Sequence, residues 1–208
     1  MKINMNNNYI DTITEMLHKI DQSAIQLLKK HLQESIEHVN YSISKREDCI
    51  ALTGGVPFIL VETNHKNHAE FMSNIFQIKN AQTLHDTFIW SYSTYYNKGF
   101  SFQYFFYELN AWKEFYQITD NKKFTSIISL YDYLISLHEY FIQHAISTQD
   151  NTPEIDDIET YESFLNALLN ADLTLALKIS KRYIQTKENV VTFWEKIILP
   201  SLYTIGNK

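Results

Sequence analysis

Apolar residues recur every three or four positions along most of this chain, which is the spacing of one face of an α-helix. Between residues 10 and 43 the pattern predicts one amphipathic helix with at most one break. Further helices are predicted to begin near Asn64, at Asn80 and after Ser101, and asparagine and serine are favoured at helix N-caps. Gly99 is suited to a left-handed C-terminal cap of the helix that starts at Asn80. The pattern therefore predicts an all-α fold.

Two segments interrupt the helical pattern. Residues 49–61 contain Gly54, Gly55 and Pro57 between two short β-prone runs, which predicts a loop or a small hairpin. The polar segment 147–153 loses all periodicity and predicts a linker. We therefore expect an N-terminal helical bundle over residues 1–148, and a small bundle of three or four helices over residues 153–208.

Caps also predict the helices of the second domain. Pro153 suits the first turn of a helix, and Asp172 is expected to cap a helix that extends to Gln185. Thr186 is expected to cap a final helix that ends near Ile205. Three such helices bury only a small core, so the module is expected to be marginal without a neighbour.

Composition and charge narrow the function classes. The chain has 208 residues, 45% of them hydrophobic, with only 4 Gly and 3 Pro, which favours long helices around a buried core. A formal charge of -6 without a basic stripe argues against nucleic acid as a partner. The single Cys49 excludes an internal disulfide, and no apolar run reaches the length of a membrane span. Without a secretory signal at its start, we expect a cytoplasmic protein.

His65 and His68 are the residues that most suggest a metal site. Their spacing of three places both rings on one side of a helix, where they could ligate a metal ion or a tetrapyrrole. A structural alternative stays open, in which Asn64 and Asn67 cap a helix and the histidines hydrogen-bond to the loop at Gly54.

A dense aromatic cluster between residues 90 and 112 suggests a pocket for a planar ligand. Helical spacing explains many of its members as core, but it leaves Tyr92, Tyr96 and Tyr104 as candidates to line such a pocket. No catalytic centre is expected, because Glu108 and Glu114 are six residues apart and do not share a helix face.

The last fifty residues carry a resemblance to a known family. A leucine pair (Leu168 and Leu169), a small residue before Asp172, and the run from Pro200 to Gly206 resemble the helical cap module of cobalamin-binding proteins. That resemblance implies that this C-terminal module packs over the upper face of a corrin ring. It places the following residues near the ligand: Phe193, Trp194, Leu199 and Tyr203. The family's lower-face histidine belongs to an Asp-x-His-x-x-Gly sequence in a downstream α/β domain, and the chain contains no such sequence.

The middle of the chain is similar to the helical region that precedes the cap in some bacterial cobalamin-binding regulatory proteins. The similarity covers residues 64–72, 89–95 and 99–105. Together the two resemblances imply a non-enzymatic regulatory or sensory protein with a cap module that is incomplete at its C-terminus. Cobalamin would bind only with a downstream or partner domain. Two alternatives stay open: a corrinoid methyl-carrier component, and a protein-binding adaptor or haem-type tetrapyrrole binder.

Overall fold

The computed structural model describes residues 5–147, 157–185 and 187–206. In these ranges the regular structure consists of α-helices and one π-helical turn, without a β-strand. The predicted all-α class is confirmed. None of the helices in the described ranges is long and apolar enough to cross a membrane.

The chain divides into two compact units, Met1–Ile146 and Ser147–Lys208. The predicted linker lies almost wholly in residues 148–156, which are outside the described ranges together with Pro153. The helices of the N-terminal unit are α1 (Met5–Lys19), α2 (Gln22–Lys30), α3 (Leu32–Ser44), α4 (Cys49–Leu52), α5 (Phe58–Ile78), α6 (Ala81–Asn97), α7 (Phe102–Asp120), α8 (Thr125–Ser136) and α9 (His138–Ser147).

Helix α7 is the centre of the N-terminal unit. It packs against α3 and α8, and it also contacts α4 and α6, while α5 lies against α3. The aromatic and aliphatic stripe expected from the spacing of residues 102–116 is buried at Phe105, Leu109, Trp112 and Tyr116, whereas Phe102 is half-buried. A helix covered by so many neighbours has to bury most of its circumference, which explains its unusual aromatic content.

The amphipathic stretch 10–43 forms three helices where one with at most one break was predicted. The first ends before Ile20, and the Asp21 side chain caps the second by accepting a hydrogen bond from Ala24 N–H at 2.8 Å. Lys79 Nζ, at the end of α5, donates to the carbonyls of Leu17 and Ile20. Because these carbonyls end α1, a distant lysine satisfies groups that a continuous helix would have satisfied itself.

The predicted loop or hairpin at residues 49–61 is wrong. Most of these residues belong to α4 and to the first turn of α5, and only Thr53–Pro57 lie between the helices. Gly54 and Gly99 both have positive φ, and a Cβ on Gly54 would lie 2.4 Å from the Gly99 carbonyl oxygen. A hydrogen bond from Ser101 N–H to Leu52 O (2.9 Å) links the same two segments of the chain. The glycines thus allow two helix-helix corners to touch through their backbones.

Three predicted caps are confirmed. The Asn80 side chain accepts from Thr83 N–H at 2.9 Å, and the Ser101 hydroxyl accepts from Gln103 N–H at 3.2 Å. Gly99 takes φ +91° one residue after α6, next to the C-cap residue Lys98. Local side-chain chemistry therefore sets where α6 and α7 begin.

The C-terminal unit contains α10 (Ile158–Leu169), α11 (Leu173–Tyr183), α12 (Lys187–Phe193), a π-helical turn (Trp194–Ile198) and α13 (Leu199–Gly206). Helix α10 packs against α11, the π turn and α13. The predicted Asp172 cap is confirmed, since its carboxylate accepts from Leu175 N–H at 2.9 Å. The predicted Thr186 cap lies outside the described residues. The small core of this unit is buried around Phe164, Phe193 and Ile197.

Candidate functional site

The N-terminal unit buries a network of histidine, tyrosine and glutamate side chains at the interface of α3, α5, α7 and α8. His65 and His68 both come from α5, one turn apart, and point inwards. Helix α5 begins at Phe58, so the two histidines lie inside the helix and not at its start. The structural alternative based on caps at Asn64 and Asn67 is therefore wrong, and the partners of both histidines come from distant helices.

His65 uses both ring nitrogens in hydrogen bonds. Its Nδ1 lies 2.6 Å from Asn40 Oδ1 on α3, and its Nε2 lies 2.9 Å from the Tyr104 hydroxyl on α7. An Nδ1–H that donates to Asn40, with Tyr104 donating to Nε2, satisfies the ring completely. Burial lowers the pKa of His65 to about 3, so the ring is neutral near pH 7.

His68 has a different set of partners. Its Nε2 lies 3.0 Å from the Tyr131 hydroxyl on α8, and its Nδ1 lies 3.7 Å from Glu108 Oε1 on α7. The ring stacks on Trp112 with the centroids 5.1 Å apart. Burial, together with the nearby His65, lowers the pKa of His68, although 15% of its side chain remains exposed.

These hydrogen bonds do not support the predicted metal pair, which stays a prediction. Although the two histidines do share one side of α5, each ring belongs to a separate hydrogen-bonded pair, and neither His65 nitrogen is left to ligate an ion. Among the described residues, no group of three or more His, Cys, Asp or Glu is placed to hold a metal. The same occupied nitrogens disfavour axial ligation of a haem by His65.

Glu108 is the buried acid of this network. Its Oε1 accepts a hydrogen bond from Trp112 Nε1–H at 3.2 Å, and burial raises its pKa to about 7, against the opposing effect of that bond. Glu114, on the same helix, is exposed, which confirms that the two carboxylates do not share a face. A buried carboxyl with a strongly raised pKa marks a candidate functional group.

Two further histidines repeat the pairing with tyrosine. Tyr92 OH lies 2.9 Å from His138 Nδ1, and His85 Nε2 lies 2.8 Å from Tyr140 OH. The His138 Nε2 is buried without a hydrogen-bond partner. Each pair joins helices that are far apart in sequence, so these hydrogen bonds help to fix the arrangement of the bundle.

The predicted aromatic pocket is filled by the protein's own side chains. Tyr92 and Tyr104 are fully buried, and the Tyr92 ring stacks on Phe105 with centroids 4.0 Å apart. Tyr96 is 44% exposed and lies flat on Phe102, on the outside of the bundle. The three tyrosines therefore do not line one cavity, because helical packing places two in the core and one on the surface.

The residues predicted to face a corrinoid are separated by burial. Phe193 is fully buried against Phe164 and Tyr183, and as packed here it belongs to the core of the C-terminal unit. Trp194 and Leu199 are about half exposed, at 52% and 50%. Tyr203 belongs to α13, but its side chain lies outside the described residues. Contact of these residues with a corrinoid stays a prediction.

Sequence reasoning missed the roles of Glu108, Asn40 and Tyr131. A signal for Glu108 was present, because it lies four residues after Tyr104 and four before Trp112 on the buried stripe of α7. Asn40 and Tyr131 gave no comparable signal, since each meets its histidine only through tertiary packing.

Comparisons with known proteins add no assignment to this geometry. No protein-family model matches the chain, and neither a curated protein nor a solved structure matches it significantly.

Proposed function

We propose that this chain is a non-enzymatic regulatory or sensory protein whose C-terminal unit packs over a corrinoid held by a partner protein or a further domain. The sequence resemblance of residues 161–208 to cobalamin-binding cap modules suggests the ligand class. The observation that carries the proposal is an exposed apolar stripe on the C-terminal unit, defined by Trp194, Leu199 and Leu202.

The π-helical turn aligns this stripe. In a regular α-helix, residues five apart do not lie above one another. Here Leu199 N–H bonds to Trp194 O, five residues back, so these two residues lie one wide turn apart on the same side. Leu202 follows three residues later and is 49% exposed. Phe193 and Ile197 are fully buried, so the segment separates a core side from an apolar solvent side.

Pro200 gives the π turn a physical cause. A proline inside a helix lacks an N–H and its ring clashes with the carbonyl four residues earlier, which here belongs to Lys196. The wide turn directly before the proline relieves this conflict, as helix irregularities commonly do. Pro200 is also one of the residues on which the family resemblance rests, so the same residue links the sequence pattern to the exposed stripe.

A corrin ring suits such a stripe because its face is broad, flat and largely apolar. Burying the exposed halves of three such side chains is worth roughly 2–4 kcal/mol, from about 1.5–3 kcal/mol for each complete side chain. That range corresponds to a Kd no tighter than about 1 mM. The chain alone should therefore bind a free corrinoid weakly, and tight binding should need the lower-face ligand of another domain.

Tryptophan indole signals provide the test. The chain has three tryptophans, of which Trp112 is buried in the N-terminal unit and Trp90 is exposed on it. In ¹H–¹⁵N spectra, millimolar hydroxocobalamin or adenosylcobalamin should shift the Trp194 indole signal and leave that of Trp90 unchanged. Trp194→Ala should abolish the shifts that the corrinoid causes in the amide signals of residues next to Trp194. Trp90→Ala, the matched control for an exposed tryptophan, should retain those shifts.

Several outcomes would count against the proposal. Equal shifts of Trp90 and Trp194 would indicate non-selective adhesion of the corrinoid. Shifts by haem but by neither corrinoid would favour the tetrapyrrole alternative, and no shift by any of these ligands would remove the support for a corrinoid-facing stripe. No feature of the described residues favours the methyl-carrier alternative.

A further inference from the structure

The buried His68 and Glu108 face one another in an arrangement that one proton can change. Glu108 Oε1 and His68 Nδ1 are 3.7 Å apart, too far for a hydrogen bond and too close for water to screen them fully. Glu108 is 4% exposed. On its other side, His68 reaches Tyr131 through Nε2, and the Tyr131 hydroxyl is itself hydrogen-bonded to that of Tyr116. These four side chains connect α5, α7 and α8.

The surroundings of Glu108 contain little opposing charge. Among the described residues, His68 is the only basic group within 4 Å of its carboxylate. The titratable groups that face the pair from the packed helices are His65 on α5, Tyr92 and Tyr95 on α6, Tyr104 on α7 and Tyr131 on α8. Burial raises the pKa of each of these tyrosines and lowers that of His65. All of them are uncharged near neutral pH, so a negative charge on Glu108 has no fixed positive partner.

We propose that the His68–Glu108 pair is a proton-operated switch, in which loss of one proton from Glu108 reverses the hydrogen-bond direction through His68 and Tyr131 and draws the His68 ring towards the Glu108 carboxylate. This inference concerns the N-terminal unit alone and does not depend on the corrinoid proposal.

In the protonated state the pair is neutral. The His68 proton lies on Nε2 and is donated to the Tyr131 oxygen, while Tyr131 donates to Tyr116. The bare Nδ1 then faces Glu108 Oε1, which already accepts from Trp112. The carboxyl proton of Glu108 is then on its other oxygen, Oε2, so that Nδ1 and Oε1 are both acceptors. Two acceptors can face each other at 3.7 Å as long as neither carries a charge.

In the deprotonated state Glu108 has released its proton to water. The His68 ring stays neutral, but its proton relocates from Nε2 to Nδ1 and is donated to the new carboxylate. Tyr131 turns its hydroxyl from Tyr116 to the vacated Nε2. One proton leaves and every other proton is retained, so the step balances. A charge-assisted N–H···O⁻ bond is about 2.7–2.9 Å long, so the His68 ring and the Glu108 carboxylate must approach by about 1 Å.

The raised pKa of Glu108 sets the pH at which this happens. A change from 4.5 to about 7 means that the core disfavours ionisation by about 300-fold compared with water. The exposed 15% of the His68 side chain provides a route by which the proton reaches solvent. The transition is therefore expected near neutral pH.

Histidine tautomers can be observed directly by long-range ¹H–¹⁵N NMR of the full chain between pH 5 and 9. We expect His68, assigned by loss of its signals in His68→Gln, to change from the Nε2–H to the Nδ1–H form with a midpoint near pH 7. The Trp112 indole proton should shift downfield with the same midpoint, since its acceptor gains a charge. Glu108→Gln should abolish both transitions.

Glu114→Gln is the matched control, because Glu114 lies exposed on the same helix, and it should leave both transitions unchanged. His68 in a single tautomer from pH 5 to 9, or a tautomer change that persists in Glu108→Gln, would overturn the proposal. A Trp112 shift without a tautomer change would also overturn it, because charge alone would then account for the titration. In Glu108→Gln the isosteric glutamine can still accept a hydrogen bond from Trp112. The ¹H–¹⁵N spectrum of this variant verifies that it folds as the parent does.

Discussion

The contact between Gly54 and Gly99 offers a sharp test of how the helix corners of the N-terminal unit are packed. Gly54 and Gly55 are neighbours in one turn, with φ values of +62° and +74°. A Cβ on Gly54 would lie 2.4 Å from Gly99 O and 3.0 Å from Gly99 Cα, whereas a Cβ on Gly55 would meet no atom within 4 Å. Alanine at either position therefore has the same backbone strain, but only Gly54→Ala adds a collision.

The expected magnitudes follow from these two effects. The left-handed conformation costs an L-residue roughly 1–2 kcal/mol, while the stiffer unfolded chain returns about 0.4–1 kcal/mol. Gly55→Ala should therefore lose about 0.5–1 kcal/mol of unfolding free energy. Gly54→Ala adds overpacking of about 1–3 kcal/mol and weakens the nearby bond from Ser101 N–H to Leu52 O, so its total loss should be about 3 kcal/mol.

Urea unfolding of the two variants, followed by the fluorescence of the buried Trp112, measures this difference. Trp90→Phe and Trp194→Phe in every chain, the parent included, restrict the signal to the N-terminal unit. In thermal unfolding, about 1 kcal/mol corresponds to a shift of roughly 2–4 °C for a chain of this size, so the two variants should be readily separated. Equal losses in Gly54→Ala and Gly55→Ala would refute the close backbone approach.

Three further predictions concern the polar core and the C-terminal unit. Because the folded pKa of Glu108 is raised from 4.5 to about 7, the stability due to its protonated form is fully present below the unfolded pKa and is lost as pH rises through 7. Glu108→Gln should thus match the parent in urea unfolding at pH 4.5 and exceed it by up to about 3 kcal/mol at pH 8; a constant difference would contradict the burial argument. Tyr104→Phe removes the donor to His65 Nε2 and should lower the unfolding free energy by about 1–3 kcal/mol in the same assay. Tyr96→Phe, on the surface, should change it by less than about 0.5 kcal/mol. Similar losses of unfolding free energy in the two variants would show that the hydrogen bond to His65 does not account for the stability that Tyr104 contributes. Asp172→Ala removes an N-cap and should lower the unfolding free energy of the C-terminal unit by about 1 kcal/mol, seen by Trp194 fluorescence in a chain without the other tryptophans and absent from the Trp112 signal.

The proton switch and the corrinoid-facing stripe lie in different units, and their tests are independent. Loss of the Trp194 response to corrinoids would leave the Glu108 titration unaffected, and a flat Glu108 titration would leave the Trp194 response unaffected. If both hold, the N-terminal unit adds a proton-sensitive element to a chain whose C-terminal unit meets a ligand. The shift of the Glu108 titration midpoint on corrinoid binding would then measure the coupling free energy between the two units.

The local pattern was sufficient for the fold class and for several helix ends. Period and caps are properties of neighbouring residues, so the positions of Asn80, Gly99 and Ser101 could be predicted without knowing what packs against them. The segment 49–61 failed for the converse reason. Two adjacent glycines permit a hairpin turn or a helix-helix corner equally well, and the choice was made by the contact of Gly54 with Gly99, which is 45 positions away.

The candidate site divides in the same way. The sequence by itself determined that His65 and His68 share one side of a helix, that many of the aromatic residues of α7 belong to the core, and that Asp172 caps a helix. Only the tertiary structure decided that Asn40, Tyr104, Tyr131 and Glu108 meet those histidines, and that a π turn brings Leu199 into line with Trp194. The physical reason is range: helical period and capping act over three or four residues, whereas hydrogen-bond partners and burial depend on which helices lie side by side.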